Sequence, residues 1–143
     1  MDQSSITPPD AELTERIDTI EEAYEFLLAY AAQGLSDERA GASGAQARSF
    51  LQRADSALAG LPDLVRALVA QKGLDPADRY HAFIDVLERD ARDARAAVGL
   101  VLAQPSISSQ LVDNLNASIH VRALLTDLFL IDEVLKRFLS SAG

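Results

Sequence analysis

Several residue types are missing or scarce in this chain, and each absence excludes a class of chemistry. Cysteine is absent from all 143 residues, which excludes disulfide bonds, thiolate metal sites and a cysteine nucleophile. Basic residues are few: the chain has 13 Lys and Arg residues and 22 Asp and Glu residues, which gives a net charge of −9. Nucleic-acid binding depends on a basic surface, so we expect no nucleic-acid partner for this acidic protein.

Long hydrophobic runs and secretion signals are also missing. The most apolar stretch is interrupted by Arg122, Asp127 and Asp132, too early for a membrane span. The residues from Met1 to Asp10 are polar and proline-rich, unlike a signal peptide, so we expect a cytoplasmic protein with no membrane contact. The abundance of Ala, Leu, Asp and Arg suggests a bacterial genome of high GC content.

The length and composition fit one globular domain. Hydrophobic residues make up 48% and charged residues 24% of the chain, which is typical of a folded protein rather than a disordered one. The paired prolines Pro8-Pro9 separate a polar start from the first periodic segment. We therefore predict a flexible leader over residues 1–9 and a single domain over residues 10–143.

Apolar residues recur at spacings of three and four through most of the chain, and no segment alternates as a strand would. The pattern predicts four main helices and a short one, with residues 35–44 as a loop. Asp75 is predicted to cap the third main helix, Ser108 or Ser109 to cap the last, and Pro105 to turn the chain between them. The predicted helices run from Asp10 to Gln33, Ser43 to Ala59, Pro62 to Gly73, Pro76 to Gln104 and Ser108 to Ser140.

These elements predict an all-α fold, an antiparallel four-helix bundle with one extra short helix. Folding the last two helices about Ser106 places His81 opposite Asp132, which favours a neutralising pair. The charged run from Glu88 to Arg95 alternates in sign, which predicts ion pairs along its own solvated helix face.

The last predicted helix is apolar around most of its girth between Ile119 and Phe138. A helix at the surface of a bundle needs only one apolar stripe, so the surplus must be covered by the bundle or by a second copy of the chain. We therefore expect a symmetric homodimer through this helix. The competing expectation is a monomer in which the short helix covers the surplus.

The sequence offers no metal site of a common kind. The Glu-x-x-His pairs of di-iron bundles are absent, and His81 and His120 are the two histidines. In the hairpin register these histidines lie roughly 16 Å apart, at ~1.5 Å per residue, too far to share one ion. We expect no metal and no other cofactor.

One polar group in the last helix could carry function. Asp113, Asn116 and His120 are spaced three and four apart, so they share one face of a continuous helix. They could line a ligand pocket or a partner surface, or they could form a solvated stripe or a buried network that fixes helix register.

Two functions from different classes follow. The first is a non-enzymatic helical interaction module, an accessory, adaptor or regulatory protein that acts as a homodimer and has an unidentified protein partner. The second is a bundle that binds a small ligand or cofactor on the Asp113/Asn116/His120 face. The sequence contains no legible catalytic arrangement, so we expect the first.

Overall fold

In the computed structural model, which describes residues 8–139, the regular secondary structure is entirely helical. No strand occurs in this range, so the all-α prediction is confirmed. None of these helices is both long enough and apolar enough to span a membrane. Residues 1–7 of the predicted leader lie outside the described range, and Pro9 already belongs to the first helix. The helices are α1 (Pro9–Ala32), α2 (Asp37–Leu58), α3 (Leu61–Lys72), α4 (Ala77–Leu102), α5 (Ser109–Ala117) and α6 (Ile119–Leu139).

Neighbouring helices pack in opposite directions. In α1, Arg16 reaches the end of α2, while Phe26 stacks on Phe50 with ring centroids 4.3 Å apart. Because a later residue of α1 meets an earlier residue of α2, the two helices are antiparallel. The same holds for α2 and α4, where Arg48 donates to the carbonyl of Leu102 at 2.6 Å at the end of α4.

Two arginines cap the ends of neighbouring helices. Arg16 of α1 donates to the carbonyls of Ala57 and Ala59 at 3.3 and 2.5 Å. Arg48 of α2 donates to the carbonyl of Gln104 at 2.5 Å in addition to that of Leu102. The last carbonyls of a helix have no partner within the helix, so these guanidinium groups satisfy them and fix the register of both helix pairs.

The second helix is longer than the sequence pattern predicts. α2 begins at Asp37, so the predicted loop over residues 35–44 is wrong for most of its length. The helix contains one non-helical residue, Gly41, with φ 42° and ψ −122°. Only glycine adopts this conformation at low cost, so the glycine that suggested a loop forms a kink inside a helical segment. The first turn of α2 thereby buries Ala40 against the end of α1.

The last predicted helix is two helices. Ser118, with φ −59° and ψ 134°, is extended and separates α5 from α6, so the prediction of one continuous helix from Ser108 to Ser140 is wrong. Its hydroxyl accepts from the backbone N–H of His120 at 3.2 Å and so caps the start of α6. The break divides the packing, because α5 lies chiefly against α1 and α6 lies chiefly against α4.

Two of the predicted helix caps can be compared with the structure. The hydroxyl of Ser108 accepts from the N–H of Leu111 at 3.1 Å, which confirms this residue as the cap of α5. The predicted Asp75 cap is wrong, because Pro76 occupies the cap position and no side chain bonds to the first turn of α4. Proline has no hydroxyl or carboxylate to accept such a bond, so α4 starts without a side-chain cap.

The core has two clusters that meet at the middle of α4. One lies among α1, α3, α4 and α6, and includes the fully buried Leu87 and Leu128. The other lies where α1, α2, α4 and α5 meet, around Tyr30 and Ile107. There the Tyr30 hydroxyl donates to the Ile107 carbonyl at 2.5 Å, and Ser109 Oγ donates to the Tyr30 carbonyl at 2.6 Å. These bonds attach the start of α5 to the end of α1.

Leu128→Ala should lower the free energy of unfolding by about 2–5 kcal/mol, the range for a fully enclosed leucine. Urea denaturation followed by circular dichroism measures this change. Leu28→Ala is the matched control, because Leu28 is exposed, and it should cost less than about 0.5 kcal/mol. Equal losses for the two variants would show that α6 is not part of the core.

Candidate functional site

The three residues predicted as a polar face do not form one. Asp113 and Asn116 lie on α5, and His120 lies on α6 beyond the break at Ser118. Asp113 and His120 are exposed, whereas Asn116 is buried. Because the break removes the continuous helix on which the shared face depended, the three side chains do not converge on one pocket.

Asn116 holds α5 against α1. Its Nδ2 donates to the Leu27 carbonyl at 3.2 Å, which fixes the orientation of the amide. Its buried Oδ1 has no protein partner, and Asn116 lines a cavity of about 40 Å³ between the helices. One water occupies about 30 Å³ of liquid, so the cavity has room for about one water molecule that could donate to Oδ1. Small-molecule sites are usually roughly 300–1,000 Å³, an order of magnitude larger.

A pair of carboxyl groups joins α4 and α6. Asp127 is buried on α6, and its side chain is within hydrogen-bonding reach of Asp90 on α4. Burial, together with the hydrogen bond and charge of Asp90, raises the pKa of Asp127 to about 7. Two carboxylates this close repel each other, so Asp127 keeps its proton to a higher pH than an exposed aspartate does. Asp127 Oδ2 is buried with no partner.

Three charged residues of α4 form ion pairs with other helices. Arg66 of α3 pairs with Asp85 at 3.1 Å and Glu88 at 2.9 Å, and Arg95 pairs with Asp55 of α2 at 2.8 Å. The prediction of pairing along the helix itself is therefore wrong for Glu88 and Arg95. Opposite charges on α3 and α2 lie closer to these residues than the opposite charges on neighbouring turns of α4 do. The resulting ion pairs attach α3 and α2 to one side of α4.

The other side of α4 forms a two-helix surface with α6, which we call the α4–α6 face. On each helix a row of residues spaced three or four apart runs beside the residues that face the core. Each of these two outer rows contains one aspartate of the carboxyl pair. Several of its large apolar side chains are open to solvent: Leu100 is 69% exposed, Ile119 73% and Leu130 52%. The face consists of Val86, Asp90, Asp93, Ala97 and Leu100 on α4 with Ile119, Ala123, Asp127, Leu130 and Val134 on α6.

The α4–α6 face is arranged around the carboxyl pair. Leu100 and Ile119 lie at one end, about 12–15 Å along their helices from Asp90 and Asp127, at ~1.5 Å per residue. Leu130 lies toward the other end. Small residues, Ala97 and Ala123, follow the same stripes, so a neighbouring surface can approach closely.

Charge is divided unevenly between the first helix and the two helices that form this face. α1 contains seven acidic residues and one basic residue, whereas α4 and α6 together contain eight acidic and seven basic residues. On the α1 side of α6, burial and the negative charge of the nearby Asp18 raise the pKa of Asp132. The α4–α6 face itself includes three aspartates, Asp90, Asp93 and Asp127, and no basic side chain.

The histidines take part in none of these clusters. His81 is exposed and forms no ion pair with Asp132, so the predicted neutralising pair is wrong. The break at Ser118 shifts the register of α6 on α4, and Asp132 lies near Asp18 of α1 instead. Within residues 8–139, no group of three or more His, Asp or Glu side chains is arranged to hold a metal ion.

Sequence reasoning missed the carboxyl pair, although one signal was present. Asp127 follows Leu124 by three residues and precedes Ile131 by four, and both are core positions of α6. A charged residue beside such a stripe borders the neighbouring helix. Its partner was hidden, because Asp90 belongs to a charged run that resembles a solvated face.

The carboxyl pair predicts a pH-dependent stability. The pKa of Asp127 is raised from 3.8 to about 7 on folding, so the unfolded chain ionises first and stability is lost as pH rises from about 4 to about 7. Asp127→Asn removes this loss while keeping a donor toward Asp90. It should raise the free energy of unfolding near pH 8 by up to about 4 kcal/mol relative to the wild type.

Chemical denaturation at several pH values measures this effect. Asp113→Asn is the matched control, because it removes an exposed carboxylate from the neighbouring helix α5 and should leave the pH profile unchanged. An Asp127→Asn protein that is less stable than the wild type near pH 8 would contradict the raised pKa of Asp127.

No protein-family model, curated protein or solved structure matches this chain. A function for it therefore rests on its own residues.

Proposed function

We propose that this protein is a non-enzymatic helical interaction module, an accessory, adaptor or regulatory protein, that acts as a homodimer through the α4–α6 face. The observation that carries the proposal is the set of exposed apolar side chains, Leu100, Ile119 and Leu130, on this one face. Apolar side chains grouped on one surface are typical of a contact with another protein surface. A further protein partner, unidentified, belongs to the same proposal.

The distribution of charge favours a second copy as the occupant. Each chain has a net charge of −9, so two copies repel over most of their surfaces. The first helix contributes seven acidic residues against one basic residue, which makes it a poor contact for its own copy. Taken as whole helices, α4 and α6 are nearly balanced in charge, so a second copy is repelled less there than at α1. A two-fold axis through the face would pair each apolar end with the same surface of the partner.

The proposal includes a bundle architecture. We infer that α1, α2, α4 and the α5–α6 pair form an antiparallel four-helix bundle, with α3 as the extra short helix. The packing of α1 on α2, α2 on α4, α4 on α6 and α5 on α1 supports this arrangement. In it α3 lies against α4 and α1, away from the α4–α6 face, and so leaves that face uncovered. The cytoplasmic location and bacterial origin stay predictions.

Sedimentation equilibrium or light scattering at micromolar concentration tests the dimer. The wild type should have twice the monomer mass of 15.4 kDa. The double variant Ile119→Gln/Leu130→Gln should weaken association at least tenfold, because each buried leucine or isoleucine contributes roughly 1.5–3 kcal/mol and tenfold in affinity corresponds to about 1.4 kcal/mol.

The chain offers a matched control on the opposite side of α6. Phe129 is 52% exposed, equal to its neighbour Leu130, and Leu28 of α1 is 46% exposed. The double variant Leu28→Gln/Phe129→Gln removes a similar amount of exposed apolar surface beside the acidic helix α1 and should leave the mass unchanged. A wild-type monomer, or a control that dissociates as readily as the test variant, would contradict the proposal.

The second candidate function is binding of a small ligand in the bundle. The buried, unpartnered Oδ1 of Asn116 on the inner cavity favours it, whereas the small size of the cavity counts against it. Asp113 and His120, the other two predicted ligand residues, are exposed outside this cavity. A rise in melting temperature with small alcohols or phenols that disappears in Asn116→Leu would favour this second function over the first.

A further inference from the structure

We propose that a second surface, on the side of α6 that borders α1, docks a basic amphipathic helix of a partner protein. This inference rests on the proposed role as an interaction module and names the chemistry of its further partner. The surface, which we call the α1–α6 face, consists of Asp18, Glu21, Glu25 and Leu28 on α1 with Phe129 and Asp132 on α6.

The α1–α6 face is formed by one row of residues on each helix. Within each row the residues are spaced three or four apart, so their side chains share one side of the helix. The two rows adjoin across the seam between the helices. The charge of Asp132 acts on Glu21, and the charge of Asp18 acts on Asp132. The four carboxylates therefore belong to one continuous surface.

These carboxylates have no basic partner. Among residues 8–139, none of the ion pairs includes a carboxylate of the α1–α6 face. Arg16 is the one basic residue of α1, and it pairs with Glu12. Lys136 and Arg122 are the basic residues in the Phe129 row of α6, and Lys136 pairs with Glu133. A cationic partner would therefore relieve repulsion among carboxylates that the fold leaves unpaired.

Apolar side chains lie beside the carboxylates. Leu28 follows Glu25 by three residues in the α1 row, and Phe129 precedes Asp132 by three in the α6 row. Both side chains are about half exposed, at 46% and 52%. Aromatic and aliphatic anchors contribute most of the affinity at protein interfaces, while surrounding charges select the partner and orient it. The α1–α6 face has both components.

Charge complementarity identifies the occupant. Nucleic acids and anionic lipid surfaces are negatively charged, so this face repels them. A second copy of the chain would bring the same carboxylates and a net charge of −9. A helix with Lys or Arg on both sides of an apolar stripe complements the carboxylates and the exposed apolar side chains together. Helical partners of this kind dock by apolar residues spaced three or four apart.

Binding of a synthetic amphipathic helical peptide to the full chain tests the inference. The peptide consists of Leu and Lys, with Leu on one stripe of the helix, and a peptide with Glu in place of Lys is its control. Isothermal titration calorimetry at about 0.05 M and about 0.5 M salt measures the affinity, and amide chemical shifts locate the site. We expect the Lys peptide to bind at the α1–α6 face and to lose at least tenfold in affinity at the higher salt. The Glu peptide should not bind.

One pair of variants tests the charges. Glu21→Gln/Asp132→Asn removes two carboxylates of the face and should weaken binding of the Lys peptide about threefold or more. Asp78→Asn/Asp113→Asn is the matched control, because it makes the same change in net charge at exposed positions on α4 and α5. This control should keep the wild-type affinity to within about twofold.

A second pair of variants tests the apolar side chains and does not depend on the folding of the first. Leu28→Gln/Phe129→Gln should weaken binding of the Lys peptide at least tenfold, because burial of a leucine or phenylalanine contributes strongly to affinity. Ile119→Gln/Leu130→Gln changes the α4–α6 face instead and should leave the affinity unchanged.

The outcomes separate this inference from the proposed homodimer. Absence of binding, binding of both peptides, or an equal loss in both carboxylate variants overturns the inference and leaves the homodimer intact. A dimer that dissociates in Leu28→Gln/Phe129→Gln also overturns it, because a second copy would then occupy this face. A monomeric wild type that binds the Lys peptide with the expected pattern of variants refutes the homodimer and supports the inference.

Discussion

The backbone break at Ser118 determines how the C-terminal part of the chain packs. A straight helix from Ser109 to Leu139 would keep one direction, but the extended conformation of Ser118 lets α5 lie on α1 and α6 lie on α4. The break is stabilised on both sides. Ser118 Oγ caps α6, while the Asn116 amide bonds to the Leu27 carbonyl of α1 and holds the end of α5. The position of Asp127 against Asp90, and the exposure of Ile119 at the start of α6, both follow from it.

Two opposite surfaces result from this packing. One is the strongly acidic side of α1, where burial and like charges raise the pKa values of Glu21 and Asp132. The other is the α4–α6 face, which carries exposed apolar side chains around the Asp90–Asp127 carboxyl pair. A chain with a net charge of −9 can approach its own copy with little repulsion only where local charge is low.

The sequence predicted the helical content well because helical periodicity and capping are local. The stripe of α1 from Leu13 to Leu27 and the Ser108 cap are legible from neighbouring residues. The break at Ser118 was not legible, because no glycine or proline accompanies it and its stabilising bonds come from α1 and from its own hydroxyl. Gly41 suggested a loop where the structure has a helix, because a single glycine kink can be accommodated within a helical segment.

The candidate site was harder to predict than the fold for the same reason. The Asp113/Asn116/His120 face depended on a continuous helix, and one extended residue removed it. The Asp90–Asp127 pair joins residues that are far apart in sequence, so it depends on the register between α4 and α6. That register shifts with the break at Ser118, and so does the predicted contact of His81 with Asp132.

The most direct measurement of the central claim is the distance between spin labels on two copies of the chain. The absence of cysteine allows a single label at Asp93→Cys on the α4–α6 face or at Glu22→Cys on the exposed side of α1. If two copies meet at the α4–α6 face, labels at position 93 should lie about 20–30 Å apart, the width of two or three packed helices. Labels at position 22 should be clearly farther apart. A shorter distance at position 22, or no coupling at either position, would contradict association through this face.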